Sequence, residues 1–340
     1  MRVLLTGHQG YLGTVMAPVL VADGHDVVGL DTGLFADCVL GPQPQDPPGL
    51  TVDLRDVTPA HLAGIDAVVH LAALSNDPLG SLAPDITYDI NHHASVRLAT
   101  AAKEAGVQRF LYASTCSVYG ASGTAGLVTE DAVLAPVTPY AESKVRVEDE
   151  LLALADDSFS PTSLRNATAF GFSPRLRADI VLNNLVGHAV LSGTVLVLSD
   201  GTPWRPLVHA ADIAAAFAAT LEAPREAVHC QAFNVGHPDN NVTVAEIADS
   251  VVRAVPGSTL KVTGEAGGDP RSYRVDFAKM TAAVPAFVAR WTVPDGAAEL
   301  AAAYREHGLT ADAFRERFTR LARLSARQGA GELSGDMRVL

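Results

Sequence analysis

Apolar and polar positions follow two rhythms along this chain. Residues 3–6 form a short continuous apolar run, the pattern of a strand buried on both faces. Residues 7–13 then turn into a helix that runs to about residue 22, and residues 26–30 predict the next strand. Further strands are predicted at 67–71 and 110–113, with helical periods between them, notably 94–105 and 140–155. Strands alternating with helices specify βαβ units and a parallel, doubly wound sheet, a Rossmann-type α/β fold. Residues 41–49, with four prolines, predict a loop, as do residues 120–139. From about residue 171 the rhythm loosens. A basic, proline-bearing loop at 173–177 precedes helical stretches at 180–191, 213–221, 243–255, 296–307 and 311–324, with few strands between. The expected organisation is a dinucleotide-binding domain over 1–170, with 205–235 returning to it. A smaller, mostly helical C-terminal substrate lobe follows over 171–204 and 236–328, and 329–340 is a loose tail.

Composition narrows the function. A chain of 340 residues suggests two domains, or one large α/β unit with an elaboration. The net charge of −13 argues against nucleic acid or an anionic membrane surface as a partner, since either needs a basic patch. Any phosphate-bearing ligand must then be held locally, by a few arginines and backbone amides. Cys38, Cys116 and Cys230 are an odd number without CxxC spacing, a reduced, cytoplasmic pattern with no disulfide framework or zinc site. The apolar N-terminus imitates a signal peptide, but its glycines mark a strand and a turn instead. No apolar run is long enough to span a bilayer.

Within Thr6-Gly7-His8-Gln9-Gly10-Tyr11-Leu12-Gly13 the glycines fall between a strand and a helix, the context that a dinucleotide fingerprint requires. Gly7 permits the tight turn and Gly10 lets the backbone approach a pyrophosphate. Gly13 lets helix and strand pack closely, with the helix N-terminus facing the phosphates. Asp31 ends the second strand, where a carboxylate accepts from a ribose 2′-hydroxyl and repels a 2′-phosphate, favouring NAD over NADP. Asp53, in Val-Asp-Leu-Arg-Asp, is placed to reach the adenine amino group, or is an ordinary turn aspartate.

Tyr140 and Lys144, in Tyr-Ala-Glu-Ser-Lys, lie one helical turn apart and share a face. A neighbouring ammonium favours phenolate, so Tyr140 is suited to take a proton from a sugar or alcohol hydroxyl near neutral pH.

Taken in order, these stretches resemble the extended short-chain dehydrogenase/reductases, the nucleotide-sugar epimerase and dehydratase group, nearest in type to the UDP-glucose 4-epimerases. The matching segments are 6–13, Asp31, Asp53-Leu54, His70-Leu71-Ala72-Ala73, Asn91, Ser114-Thr115-Cys116-Ser117-Val118-Tyr119-Gly120, 140–144, Asn183-Asn184-Leu185 and 201–212 with Arg205 inside. The resemblance implies that Tyr140 is the acid/base, that Lys144 binds the nicotinamide ribose and tunes Tyr140, and that Thr115 bonds the reacting hydroxyl. It implies that Gly7, Gly10, Tyr11, Leu12, Gly13, Asp31, Asp53, Leu54 and Leu71 to Ala73 surround NAD, and that Asn91 supports this backbone. Thr168, Asn184, Arg205 and Arg271 are the implied substrate ligands, with Asn184 and Arg205 on the diphosphate of a nucleotide sugar. A homodimer built from the 94–105 and 140–155 helices is implied as well.

Departures from the family pattern shape the expected reaction. Family dehydratases carry an Asp-Glu pair where Cys116 and Ser117 stand, so elimination of water lacks its acid and base; decarboxylases tend to carry a glutamate at Ser117. Thr168 replaces an asparagine of the epimerases, and Ala266 replaces an arginine for the second phosphate, leaving Arg271, Arg274, Arg175 or Arg177 to take over. Cys116 has two readings: a small buried residue beside the catalytic threonine, or a thiol facing the sugar ring. His70, His92, His93, His188 and His209 are scattered without ligand spacing and read as packing or solvated groups, with no metal site. The expected activity is an NAD-dependent nucleotide-sugar epimerase working through transient oxidation to a keto-sugar. A net dehydrogenase or ketoreductase, or a non-catalytic NAD-binding sensor, are the alternatives.

Overall fold

The computed structural model describes residues 1–75, 83–120, 126–264 and 271–340. Strands β1 (Arg2–Thr6), β2 (Asp26–Asp31), β3 (Gly49–Thr51), β4 (Ala67–His70), β5 (Arg109–Thr115), β7 (Ser160–Asn166) and β11 (Gln231–Val235) form one seven-stranded sheet. Its order is β11-β7-β5-β4-β1-β2-β3, and every pairing is parallel. Alternate side chains of the central strands feed two separate apolar layers. Val3, Leu5 and Leu111 join Met16, Ile213 and Phe217 of helices Tyr11–Ala22 and Ala210–Glu222 on one face. Leu4, Val68 and Phe110 join Leu98, Val147 and Leu151 of helices Ala94–Glu104 and Pro139–Leu154 on the other. Burial on both faces is why these strands read as continuous apolar runs.

The chain leaves β1 toward β2 and β3, then crosses back to β4 on the other side. Strand order therefore reverses between β1 and β4, and ligands of open α/β sheets lodge at the carboxyl ends of strands at such a point.

Beyond residue 170, helices Val181–Ser192, Val244–Ala254 and Val293–Glu306 pack around Leu182, Val186, Ile247, Val251 and Leu300. Three small sheets accompany them. The strand Trp204–His209 (β10) pairs with Thr168–Phe170 (β8) and Asn241–Thr243 (β12), not with the main sheet. Within the stretch 205–235, the helices Ala210–Glu222 and Arg225–Val228 and strand β11 pack with the main sheet. The pairs Thr194–Val197 (β9) with Thr259–Val262 (β13), and Leu127–Val128 (β6) with Arg274–Val275 (β14), are further short strands that the apolar pattern does not announce. The helix expected over 311–324 is broken into a π-type turn, Ala313–Arg317, and a helix, Arg320–Gly329. The Thr319 hydroxyl donates to the Phe314 carbonyl at the break, while Phe314 and Phe318 are both buried.

The tail is not loose. Leu333 and Met337 are buried with Leu74 and Leu324, Leu333 pairs with Val339, and Arg338 meets Asp56 at 2.6 Å. The buried Arg55 donates to the Asp336 carbonyl at 2.9 Å. Short, polar and late in the chain, this segment gives no periodic signal, and its anchoring to the rest of the fold comes from contacts with Asp56, Arg55 and Leu74, more than 250 positions away. Among the described residues no helix is long and apolar enough to cross a membrane, and no cluster of His, Cys, Asp and Glu has the makings of a metal site.

Leu333→Ala is expected to lower the unfolding free energy by about 2 kcal/mol, the cost of truncating a buried leucine that its surroundings only partly refill. Urea unfolding checks this; an unchanged midpoint would mean that the tail does not pack.

Candidate active site

A cleft of about 980 Å³ opens at the carboxyl ends of β1 and β4 and extends toward the C-terminal lobe. Its floor is the glycine turn. Gly7 adopts φ +74°, and a Cβ there would lie 2.9 Å from the Ala72 nitrogen. A Cβ on Gly13 would lie 2.2 Å from the Gly7 carbonyl oxygen, so only glycine lets the helix Tyr11–Ala22 start so close to β1. Gly10 precedes that helix and offers no side-chain acceptor to its first-turn amides, which are left for an anion at the positive end of the helix. The Tyr11 hydroxyl donates to the Gly171 carbonyl at 2.8 Å, closing the turn against the second half of the chain.

Gly7, Gly10, Tyr11, Leu12, Gly13, Asp31, Asp53, Leu54, Leu71, Ala72 and Ala73 all line the cleft. Asp31 is held at the tip of β2 by the backbone amides of Gln9 (3.0 Å) and Gly33 (2.9 Å). Asp53 differs from the simple reading: it grips Arg55, whose Nε and Nη2 donate at 2.9 and 2.8 Å. Burial alone would raise its carboxyl, but the Arg55 hydrogen bonds outweigh this and hold it below the usual carboxylate range. Asn91 does not line the cleft. Its side chain accepts from the Leu74 amide (2.8 Å) and donates to the Leu74 carbonyl (3.1 Å), so it braces the backbone beyond β4.

Thr115, Ser117, Tyr140 and Lys144 converge on the same cleft from β5 and the helix Pro139–Leu154. That helix starts here because Thr138 caps it, accepting from the Ala141 amide at 3.2 Å, and Pro139 fits its first position. Lys144 is only 3% exposed; its ammonium donates to the Ala113 carbonyl at 2.7 Å and lies 4.6 Å from the Tyr112 ring centroid and 5.7 Å from that of Tyr140. Burial lowers its pKa from 10.5 to about 7, with Glu148 opposing the shift. Thr115 accepts from the Ser117 amide at 3.1 Å and donates to the Ser117 hydroxyl at 3.2 Å. Cys116 points away: it is buried, its thiol contacts the Arg165 carbonyl at 3.1 Å, and it does not line the cleft. Burial pushes that thiol well above its ordinary pKa, so the reading of Cys116 as a proton carrier facing the sugar is corrected. His70 bonds Thr6 and Ser95 at 2.7 and 2.8 Å, and burial, reinforced by Lys144, lowers it to about 3, which keeps it a neutral packing residue.

At the far end, Thr168, Asn184, Arg205 and Arg271 line the cleft. Asn184 donates to the Ala178 carbonyl at 3.1 Å, and Arg271 reaches the Ser117 hydroxyl at 3.4 Å. Of the other arginines considered for phosphate, Arg175 is buried against Asp46 at 2.6 Å and Arg274 stacks on Trp204; neither lines the cleft. Arg177 does line it. Ala266 lies outside the described residues. Asn166, Asp179 and Arg320 are among the lining residues that the sequence does not single out. Asn166 carries a buried Oδ1 without a partner among the described residues. No local pattern separates these from ordinary polar positions; Arg320 in particular sits in a basic helical repeat that reads as solvated.

Residues 3–236 match the model of the NAD dependent epimerase/dehydratase family. The chain belongs to that family. It is 29% identical to the UDP-glucose 4-epimerase of Corynebacterium glutamicum over 79% of this chain and 85% of that protein. It is 31% identical to the UDP-glucose 4-epimerase of Mycolicibacterium smegmatis over 69% and 77%. The structure of MoeE5 in complex with UDP-glucuronic acid and NAD superposes with a TM-score of 0.77 at 28% identity, covering 90% of this chain and 99% of that one. An NDP-hexosamine 5,6-dehydratase, TunA, shares the fold with a TM-score of 0.80 at 22% identity, covering 90% and 98%. NAD is the cofactor of this epimerase/dehydratase family, and the glycine turn fits it: Gly7 and Gly13 let the turn close against Ala72 and the start of the helix, and the first-turn amides of that helix carry no side-chain cap.

The buried ammonium gives this family member a stability signature. In the NAD-free protein, between pH 7 and the ordinary 10.5, the unfolded chain holds a proton that folded Lys144 has released. Stability from this position therefore rises with pH across that window, and the penalty is full below it. Relative to Lys144→Met, the wild type is expected to gain about 1.4 kcal/mol per pH unit there. Urea unfolding of both proteins at stepped pH measures it; parallel curves would show that Lys144 keeps its ordinary affinity for protons.

Proposed function

We propose that this chain is an NAD-dependent nucleotide-sugar epimerase that works by transient oxidation of a sugar hydroxyl. The observation that carries the reading is the convergence of Tyr140, Lys144 and Thr115 on one cleft with the glycine turn. NAD, when bound, supplies an acceptor that takes up a hydride and gives it back. Gly7, Gly10, Tyr11, Leu12, Gly13 and Leu71 to Ala73 would hold it, and the Asp31 carboxylate favours a free ribose 2′-hydroxyl.

In this scheme the Tyr140 phenolate takes the proton from the sugar hydroxyl and later returns it. Lys144 beside it stabilises phenolate over phenol whenever its ammonium is charged. Thr115, already oriented through Ser117, bonds the reacting oxygen. Arg205 and Arg271, with Asn184, would hold the diphosphate of a nucleotide sugar, as guanidinium groups match phosphate oxygens. UDP sugars are the first class to try, because UDP-glucose 4-epimerases are among its relatives and MoeE5 binds UDP-glucuronic acid. Dehydration fits less well. The neighbours of Thr115 are a thiol turned to a carbonyl and a hydroxyl, which supply no acid and base for eliminating water. Pairing of two copies through helices Ala94–Glu104 and Pro139–Leu154 belongs to the same proposal.

The test is product mass after incubation with a panel of nucleotide sugars and no added cofactor. A new chromatographic peak of unchanged mass is expected; loss of water or of two hydrogens would replace the epimerase reading with a dehydratase or a dehydrogenase. Tyr140→Phe is expected to cut turnover by at least about 100-fold while NAD content, read from denatured protein, stays at the wild-type level. A variant that turns over normally would remove Tyr140 from the mechanism.

A further inference from the structure

Arg320 opens the helix Arg320–Gly329 with its side chain 5% exposed, and it lines the cleft. Its guanidinium carbon lies 4.3 Å from the ring centroid of Phe35. Neither Nη finds a hydrogen-bond partner among the described residues. The neighbouring arginines are engaged. Arg177 donates to Asp179 at 2.7 Å and to the Ser75 carbonyl at 2.8 Å, Arg175 is held by Asp46, and Arg327 by Glu332 and the Leu34 carbonyl. A buried, unpaired charge is costly, and a fold that keeps one in a ligand cleft has a use for it. Its surroundings are poor compensation: Arg177 repels it, while Asp179, already gripping Arg177, attracts it.

We propose that Arg320 is the cationic ligand of the cofactor's diphosphate, completing from the C-terminal helix the anion site that the glycine turn begins. Position decides between this diphosphate and that of the sugar nucleotide. Arg320 stacks on Phe35, just beyond β2, and interacts electrostatically with Tyr11 of the turn. Its helix packs with Leu34, Leu74 and Met337, all of which line the dinucleotide half of the cleft. At the other end Arg205 donates to the Arg271 carbonyl, and Arg271 donates to the Ser117 hydroxyl. The charge balance agrees. In a chain of net charge −13, the cleft also holds Asp31 and Asp53, so a dianion needs more than the partial charge of one helix end. Five N–H donors in a planar fork let one arginine meet oxygens of both phosphates. The same contact explains why the C-terminal segment folds back over the cleft: it delivers the group that retains the cofactor.

This inference rests on the dinucleotide reading of the cleft, and not on which sugar is turned over. Arg320→Met and Arg320→Gln are prepared free of NAD, and calorimetric titration measures NAD, adenosine and UDP against each. NAD is expected to bind Arg320→Met at least about tenfold more weakly, the loss of a hydrogen-bonded charge pair. Adenosine, which lacks the diphosphate, and UDP are expected to bind as in wild type. Arg320→Gln should weaken NAD in the same direction. The NAD-free variants should melt no lower than wild type, since each removes an unpaired buried charge. Unchanged NAD affinity in a folded variant would overturn the proposal. So would weakened UDP with unchanged NAD, which would assign Arg320 to the substrate's diphosphate. A lowered melting point with NAD and adenosine weakened alike would make Arg320 a structural residue and overturn it equally.

Discussion

The site is organised around a lysine that has almost no access to water. Lys144 survives in that position because its ammonium reaches the Ala113 carbonyl and the face of Tyr112, and because Glu148 lies one helical turn further on. Each of these partners fixes something else. Ala113 belongs to the strand that ends in Thr115, so the hydrogen bond sets the height of the helix Pro139–Leu154 against β5. Glu148 pairs with Arg165 of β7 at 2.6 Å and accepts from Ser114, which locks the two neighbouring strands to the same helix. Arg165 in turn donates to the Tyr119 hydroxyl and the Glu130 carbonyl. A polar block, satisfied almost throughout, therefore backs the Lys144 side of the cleft. Networks of this kind specify one arrangement, because a displaced member leaves a buried charge unmatched.

Electrostatics work locally against the charge of the whole molecule. The acidic surface does nothing to attract a diphosphate, yet the cleft collects Arg177, Arg205, Arg271 and Arg320. Arg177 is held by Asp179, Arg205 donates to the Trp204 carbonyl, and Arg271 donates to the Ser117 hydroxyl, contacts that orient each guanidinium. Distance and desolvation give such placed charges their effect, and net charge does not.

The sequence was most readable where one physical constraint acts on consecutive residues. The buried strands β1, β4 and β5 have apolar runs because both faces are covered, and the glycine turn stands out because two of its positions exclude a Cβ. It was least readable where burial is polar. Ser160–Asn166 is buried at every position, yet reads Ser-Pro-Thr-Ser-Leu-Arg-Asn, since its polar groups are satisfied by Glu148, Val228 and Ser114 from elsewhere. The tail and Arg320 were illegible for a related reason: short polar segments acquire order only from partners far away in the chain.

The chain by itself determined the alternating β and α units, the glycine turn, and the helical spacing that puts Tyr140 and Lys144 on one face, because these depend on local periodicity and on single-residue conformational limits. Only the tertiary structure decided which polar residues meet. It turned Cys116 toward the Arg165 carbonyl, gave Asp53 to Arg55, and brought Arg320 into the cleft across nearly the whole length of the chain. Those outcomes depend on which hydrogen-bond partners and how much water remain once the layers have packed, and no stretch of sequence carries that information alone.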